Sequence, residues 1–83
     1  MTLLTGTITF HRDEPAKSAV VEIQNPSGDV LDQVQVDSGG RYVYHLVPGT
    51  WTLRVWDAHG HRGRAEIHLG AEDKAFDLHL DEA

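Results

Sequence analysis

Apolar and polar residues alternate along most of this chain with a period of two, and no stretch sustains the apolar spacing of an amphipathic helix. The clearest run is Gly40 to Val55. Tyr42 and Tyr44 share one parity before Pro48-Gly49, and Trp51, Leu53 and Val55 share one parity after it. This pattern predicts two half-buried strands joined as a hairpin through a Pro-Gly type II turn. Proline presets φ at about −65° and glycine accepts the positive φ that follows. Trp56 has the opposite parity to Trp51, so if Trp51 fills the core, Trp56 points outward.

Seven strand candidates follow one another, each bounded by turn residues. They run from about Leu3 to His11, Ala19 to Gln24, Val30 to Val36, Gly40 to Leu46, Thr50 to Trp56, Gly63 to Leu69 and Ala75 to Leu80. Gly6 in the first marks a bulge or a close backbone approach. In the third, Leu31 is out of phase with Val34 and Val36, which predicts a bulge or an edge position. The segment from Arg12 to Lys17 reads as a polar loop, as do Asn25 to Gly28, Asp37 to Gly40, Asp57 to His61 and Gly70 to Lys74, with Asp81 to Ala83 as a solvated tail. The expected fold is all-β: a single seven-stranded antiparallel β-sandwich with Greek-key connections, spanning residues 1–83. Its core is expected to hold Ile8, Phe10, Val21, Ile23, Tyr42, Tyr44, Trp51, Leu53, Val55, Ile67, Phe76 and Leu78.

With 83 residues and no cysteine, the chain has neither disulfides nor thiolate metal ligands to support a small core. Domains of this kind gain stability by oligomerising or by docking onto a partner, so an interface is expected. The formal net charge of −6 disfavours nucleic-acid binding and adhesion to anionic membranes. Protonation of all 6 histidines would cancel that charge, so solubility should fall as pH approaches about 6. No apolar run has the length of a signal peptide core or a membrane helix, and a cytoplasmic location is the expectation.

Gly6-Thr7-Ile8, Ala19 to Ile23, Gly28-Asp29-Val30, Gly40 to Tyr44 and Pro48 to Val55 form an ordered set. In that order they resemble the carboxypeptidase regulatory-like, or transthyretin-like, β-sandwich superfamily. Within it, Pro48-Gly49-Thr50-Trp51-Thr52-Leu53-Arg54 is similar to a small actinobacterial family of unknown function, often encoded near thiosulfate sulfurtransferases. Members of that family carry an N-terminal cysteine that this chain lacks, which counts against a thiol-based role. The resemblance implies a non-catalytic accessory, adhesive, carbohydrate-contacting or oligomerising module. The enzymes of the superfamily do not fit. Intradiol dioxygenases place a tyrosine ligand after a Pro-Gly turn, where this chain has Trp51, whose indole is a donor only. Hydroxyisourate hydrolases end in Tyr-Arg-Gly-Ser, whereas this chain ends Leu80-Asp81-Glu82-Ala83. Self-crosslinking adhesins need a lysine in the first strand, but Lys17 and Lys74 both fall in expected loops.

Three groups of residues carry candidate chemistry. Arg54, Trp56, Arg62 and Arg64 form a basic and aromatic cluster in an otherwise acidic chain, the composition of an interface hot spot. A sugar or small anion could stack or pair there, and arginine stems covering Trp56 is the structural alternative. His59 and His61, beside Asp57, could share a divalent ion if the stretch is extended, though three ligands are the most it offers. The alternative is an exposed polar loop. His68 and His79 would be cross-strand neighbours if the last two strands pair. The scattered acids Asp13, Glu14, Asp29, Asp32, Asp37, Glu72 and Asp73 fit solubility and edge protection, and no spaced calcium motif appears.

The reading that follows is a non-catalytic protein-interaction or accessory module, a homo-oligomer or a subunit of a larger complex, with Arg54, Trp56, Arg62 and Arg64 at the contact. The alternatives are a carbohydrate- or small-anion-binding domain and a metal-binding protein using His59 and His61. No catalytic residues and no cofactor are expected, because no nucleophile–base pair can be assembled.

Overall fold

A computed structural model describes residues 2–10 and 14–80. His11, Arg12, Asp13 and the Asp81–Ala83 tail lie outside the described residues. The described chain is all strand and turn: β1 (Thr2–Phe10), β2 (Glu14–Pro15), β3 (Val20–Gln24), β4 (Val30–Gln35), β5 (Arg41–Leu46), β6 (Gly49–Trp56), β7 (Arg62–Leu69), β8 (Lys74–Ala75) and β9 (Leu78–His79). One sheet is built on β1, which pairs β2 and β5 antiparallel and β8 and β9 in parallel. The other has the order β4-β3-β6-β7, antiparallel throughout.

The sandwich is therefore as expected, but two connections differ. The run on either side of Pro48 is not a hairpin. β5 pairs β1, whereas β6 pairs β3 and β7, so Val47-Pro48 carries the chain from one sheet to the other. Alternation reports that a strand is half-buried but not which strand lies beside it. The seventh expected strand is split into β8 and β9, and both run parallel to β1. The break falls at Phe76-Asp77. Thr7 N–H donates to the Asp77 carboxylate (2.9 Å) instead of to a ladder carbonyl, while Phe76 N–H reaches Thr5 O (2.8 Å) and Leu80 N–H reaches Thr9 O (2.7 Å).

The two sheets bury Leu4, Ile8, Val21, Ile23, Leu46, Leu53, Val55, Ile67 and Leu80 between them. Tyr42 joins this core, with its hydroxyl donating to Phe76 O at 2.6 Å. Phe10, Tyr44, Trp51, Phe76 and Leu78 pack against it but are only half-buried, less than expected for them. Ala16, expected in a polar loop, is buried, and Glu14–Pro15 beside it form β2. β4 is an edge strand with a register shift opposite Ile23/Gln24, as its poor alternation predicts. Gly6 answers to a close approach. A Cβ there would collide with Phe76 O, and would lie 2.7 Å from Phe76 C and 2.7 Å from Tyr42 Cε1.

Three connections use one device. Asn25, Asp37 and Asp57 each close a loop that ends four residues later, with a positive-φ glycine three residues on: Gly28 (89°), Gly40 (76°) and Gly60 (87°). In each loop the first residue donates its N–H to the last residue's carbonyl: Asn25 to Asp29 (3.0 Å), Asp37 to Arg41 (2.9 Å), Asp57 to His61 (3.1 Å). In each, one side-chain oxygen accepts two loop N–H groups, at 2.9 to 3.0 Å. This is the Asx-turn chemistry that suits Asn and Asp to such positions. It joins β3 to β4, β4 to β5 and β6 to β7.

Candidate functional site

The outer face of the β4-β3-β6-β7 sheet carries an open groove of about 750 Å³. Its residues come from three adjacent strands and one Asx loop. Register sets Glu22 of β3 beside Arg54 of β6, which is beside Arg64 of β7. The next row is Val20, Trp56 and Arg62, and the row on the other side is Gln24, Thr52 and Glu66. All four residues singled out in the sequence, Arg54, Trp56, Arg62 and Arg64, line this groove. The alternation of β6 explains the placement. Trp51, on the inner parity, packs against the core and donates its indole N–H to Val47 O (3.0 Å). Trp56, on the outer parity, stays half-buried at the groove.

The floor is polar and was not singled out by sequence reasoning. Glu22 and Gln24 line the groove and are buried, as is Thr52 beside Gln24, although all three face away from the core. β3 and β6 are the inner strands of this sheet, so an outward side chain on either is flanked on both sides. Glu22 sits between Gln33 of β4 and Arg54 of β6. Its Oε1 accepts from Gln24 Nε2 (2.6 Å) and its Oε2 from Gln33 Nε2 (3.0 Å). The Gln24 amide, then the Gln33 amide, outweigh burial and hold the Glu22 carboxyl below its ordinary range. The signal was present in the sequence as Glu22-x-Gln24, but it gains meaning only once β3 is known to be an inner strand.

Arg54 Nη1 lies 3.8 Å from Glu22 Oε1, with its side chain 56% exposed. An ion pair that long and that exposed contributes little. The guanidinium is therefore free to turn to a ligand. Two of the groove's carboxylates have their oxygens engaged within the chain, while three exposed arginines and the half-buried Trp56 line it. In a chain of net charge −6, this is a local reversal of sign.

The loop of His59 and His61 is a turn, not an extended stretch. Asp57 is buried and holds it. Its Oδ1 accepts the His59 and His61 N–H groups (both 2.9 Å) and its Oδ2 meets His61 Nδ1 at 2.5 Å. Burial pushes the Asp57 carboxyl up, but the His61 ring and the two N–H donors together carry it below its usual range. The third ligand expected for a metal is thus already used. His61 also packs on Phe10, with ring centroids 4.9 Å apart, and His59 is exposed 6.4 Å from it. Among the described residues no group of three His, Cys, Asp or Glu side chains is placed to hold a metal ion. His68 and His79 are not neighbours either. β7 and β9 belong to different sheets, and the two rings face Thr50 Oγ1 (2.9 Å) and Thr9 Oγ1 (3.3 Å) respectively.

Among the described residues no helix is long and apolar enough to cross a membrane. A comparison with the curated proteins finds no match. A family model does match, over residues 1–78, which is nearly all of the sandwich and the whole groove. On that coverage the chain belongs to the family described as protein of unknown function DUF1416.

Proposed function

We propose that this chain is a non-catalytic interaction module whose groove on the β3-β6-β7 face receives an acidic, extended segment of a partner protein. The observation that carries this reading is the convergence of Arg54, Arg62 and Arg64 around the half-buried Trp56. Arginine and tryptophan are the residues that most often dominate interface energetics. Guanidinium groups bind carboxylates in bidentate fashion, which gives direction as well as attraction. The two-sheet arrangement also supports the transthyretin-like reading made from the sequence, in which such domains act as accessory units.

The test is calorimetric titration with a synthetic hexaglutamate peptide. Binding should weaken steeply with added salt and be lost in Trp56→Ala and in Arg54→Glu. Heat that persists unchanged in both variants, or a wild-type protein that gives none at low salt, would remove the reading. A second reading rests on the floor. Glu22 and Gln24 offer hydrogen-bonding groups in a groove also lined by an aromatic side chain, a combination that also suits the hydroxyls of a carbohydrate. A maltooligosaccharide that binds where hexaglutamate does not would favour it.

A further inference from the structure

The two edges of the β4-β3-β6-β7 sheet are not alike. In an antiparallel ladder, bonded and non-bonded pairs alternate. The Val36 N–H to Ala19 O bond (3.1 Å) places the bonded pairs of β4 at Val34 and Asp32, so Gln33 points its N–H to the free edge. That N–H is already taken by Asp32 Oδ1 at 2.8 Å, and the strand has a register shift. β4 is a defended edge.

β7 is different. The Asp57 N–H to His61 O bond (3.1 Å) continues into bonded pairs at Gly63, Ala65 and Ile67. Arg62, Arg64, Glu66 and His68 therefore direct their backbone groups outward. Register runs without a shift from Arg62 to Leu69, and among the described residues nothing else accepts from or donates to these backbone groups. These four residues are exposed. A long, regular, unpaired edge is a template for another strand.

We infer that β7 pairs antiparallel with β7 of a second copy of this chain, giving a two-fold dimer with a continuous sheet across the edge. Charge selects the occupant and the register. With Ala65 on the two-fold axis, Arg64 stands opposite Glu66 of the partner subunit, and Glu66 opposite Arg64 of the partner subunit. Both are outward-directed positions, so both pairs exchange backbone hydrogen bonds, as do Arg62 and His68 at the flanks. Putting Arg64 on the axis keeps Arg62 opposite Glu66 of the partner subunit but sets Arg64 against its own copy. Putting Glu66 there sets Glu66 against its own copy and leaves Arg64 opposite His68 of the partner subunit. Each slide carries a directly opposed like-charge pair that the Ala65-centred register avoids. Isologous contacts of this kind are the commonest form of self-association. The dimer would align the two grooves across one sheet.

Light scattering on the purified full chain at submillimolar concentration tests this. The wild type should show twice the 9.2 kDa chain mass. Arg64→Glu and Glu66→Arg should each fall to the single-chain mass with an unchanged far-UV circular dichroism spectrum. Mixed one to one, the two variants should recover the doubled mass, because each then presents the other's complement. The double variant carrying both changes should also be dimeric. Amide exchange adds a measure that needs no variant: Arg64 and Glu66 amides should lose protection on dilution. Wild type at single-chain mass, single variants that stay dimeric, or a mixture that stays monomeric would overturn the inference. The groove reading is separable, because Trp56→Ala should abolish acidic-peptide binding and leave the doubled mass intact.

Discussion

Substituting Gly6 by alanine should loosen the C-terminal strands from β1. The new Cβ would overlap Phe76 O and would lie 2.7 Å from both Phe76 C and Tyr42 Cε1. Two of these atoms are backbone, so no rotamer change relieves the clash. Either β1 or the Phe76-Asp77 segment must move. Such movement disrupts the Phe76 N–H to Thr5 O bond (2.8 Å), the Thr7 N–H to Asp77 bond (2.9 Å) and the Tyr42 hydroxyl to Phe76 O bond (2.6 Å). Taking about 1 kcal/mol for each gives roughly 3 kcal/mol. For a domain of this size that corresponds to a fall in Tm of about 12–24 °C. Thermal unfolding followed by circular dichroism reads the magnitude, and amide exchange at Phe76 and Leu80 reads the location. A Gly6→Ala protein melting within about 2 °C of wild type, well inside one kcal/mol, would refute the reasoning.

The remaining expectations follow from the loops, the core and the tyrosines. Asp57→Ala removes the acceptor for two loop N–H groups and the partner of His61, and should cost about 2 kcal/mol in denaturant unfolding, given that bonds to charged groups exceed neutral ones. Leu53→Ala, at a fully buried position, should cost about 3 kcal/mol, whereas Trp56→Ala should cost about 1 kcal/mol or less. Stability should be fully present above the ordinary carboxylate range and fall in acid. Glu22, Asp32, Asp37 and Asp57 all have folded pKa values below their unfolded ones, so protonation favours the unfolded chain as pH drops through about 4 and below. Urea midpoints measured from pH 6 to pH 3 check this, and a midpoint that rises on acidification would contradict it. Tyr42 should resist ionisation in the folded state, since burial first and Asp77 second push its hydroxyl well above the usual tyrosine range. Ultraviolet titration should show Tyr42 ionising only with unfolding, and Tyr44, raised by its bond to Asp32, above a free tyrosine.

What could be read from the sequence was whatever a period of two encodes. The spans of β1, β3, β6 and β7 are close to those expected, because their inward apolar residues recur at every second position. Which strands are neighbours was not legible, since pairing is a long-range property. Tyr42 to Leu46 and Trp51 to Val55 would alternate identically in a hairpin or across a sheet-to-sheet link, and Pro48 suits either. The split of the expected last strand has a local cause. Asp77 replaces a ladder carbonyl with its own carboxylate, which splits one strand into β8 and β9. The Asx loops were visible as Asn25, Asp37 and Asp57, each with a glycine three residues later, but composition alone does not announce a shared geometry. The groove was half legible. Outward parity identified Arg54 and Trp56, and nearness along the chain added Arg62 and Arg64. Glu22 and Gln24 became a floor only because β3 is an inner strand.

The most direct measurement is a map of chemical-shift changes in ¹⁵N-labelled protein titrated with hexaglutamate. The account predicts movement of the Trp56 indole and of the Arg54, Arg62 and Arg64 signals, with the Trp51 indole and the Val43 and Tyr44 amides of the opposite sheet left in place. Shifts confined to the opposite sheet, or a Trp56 indole that stays still while other sites respond, would contradict it.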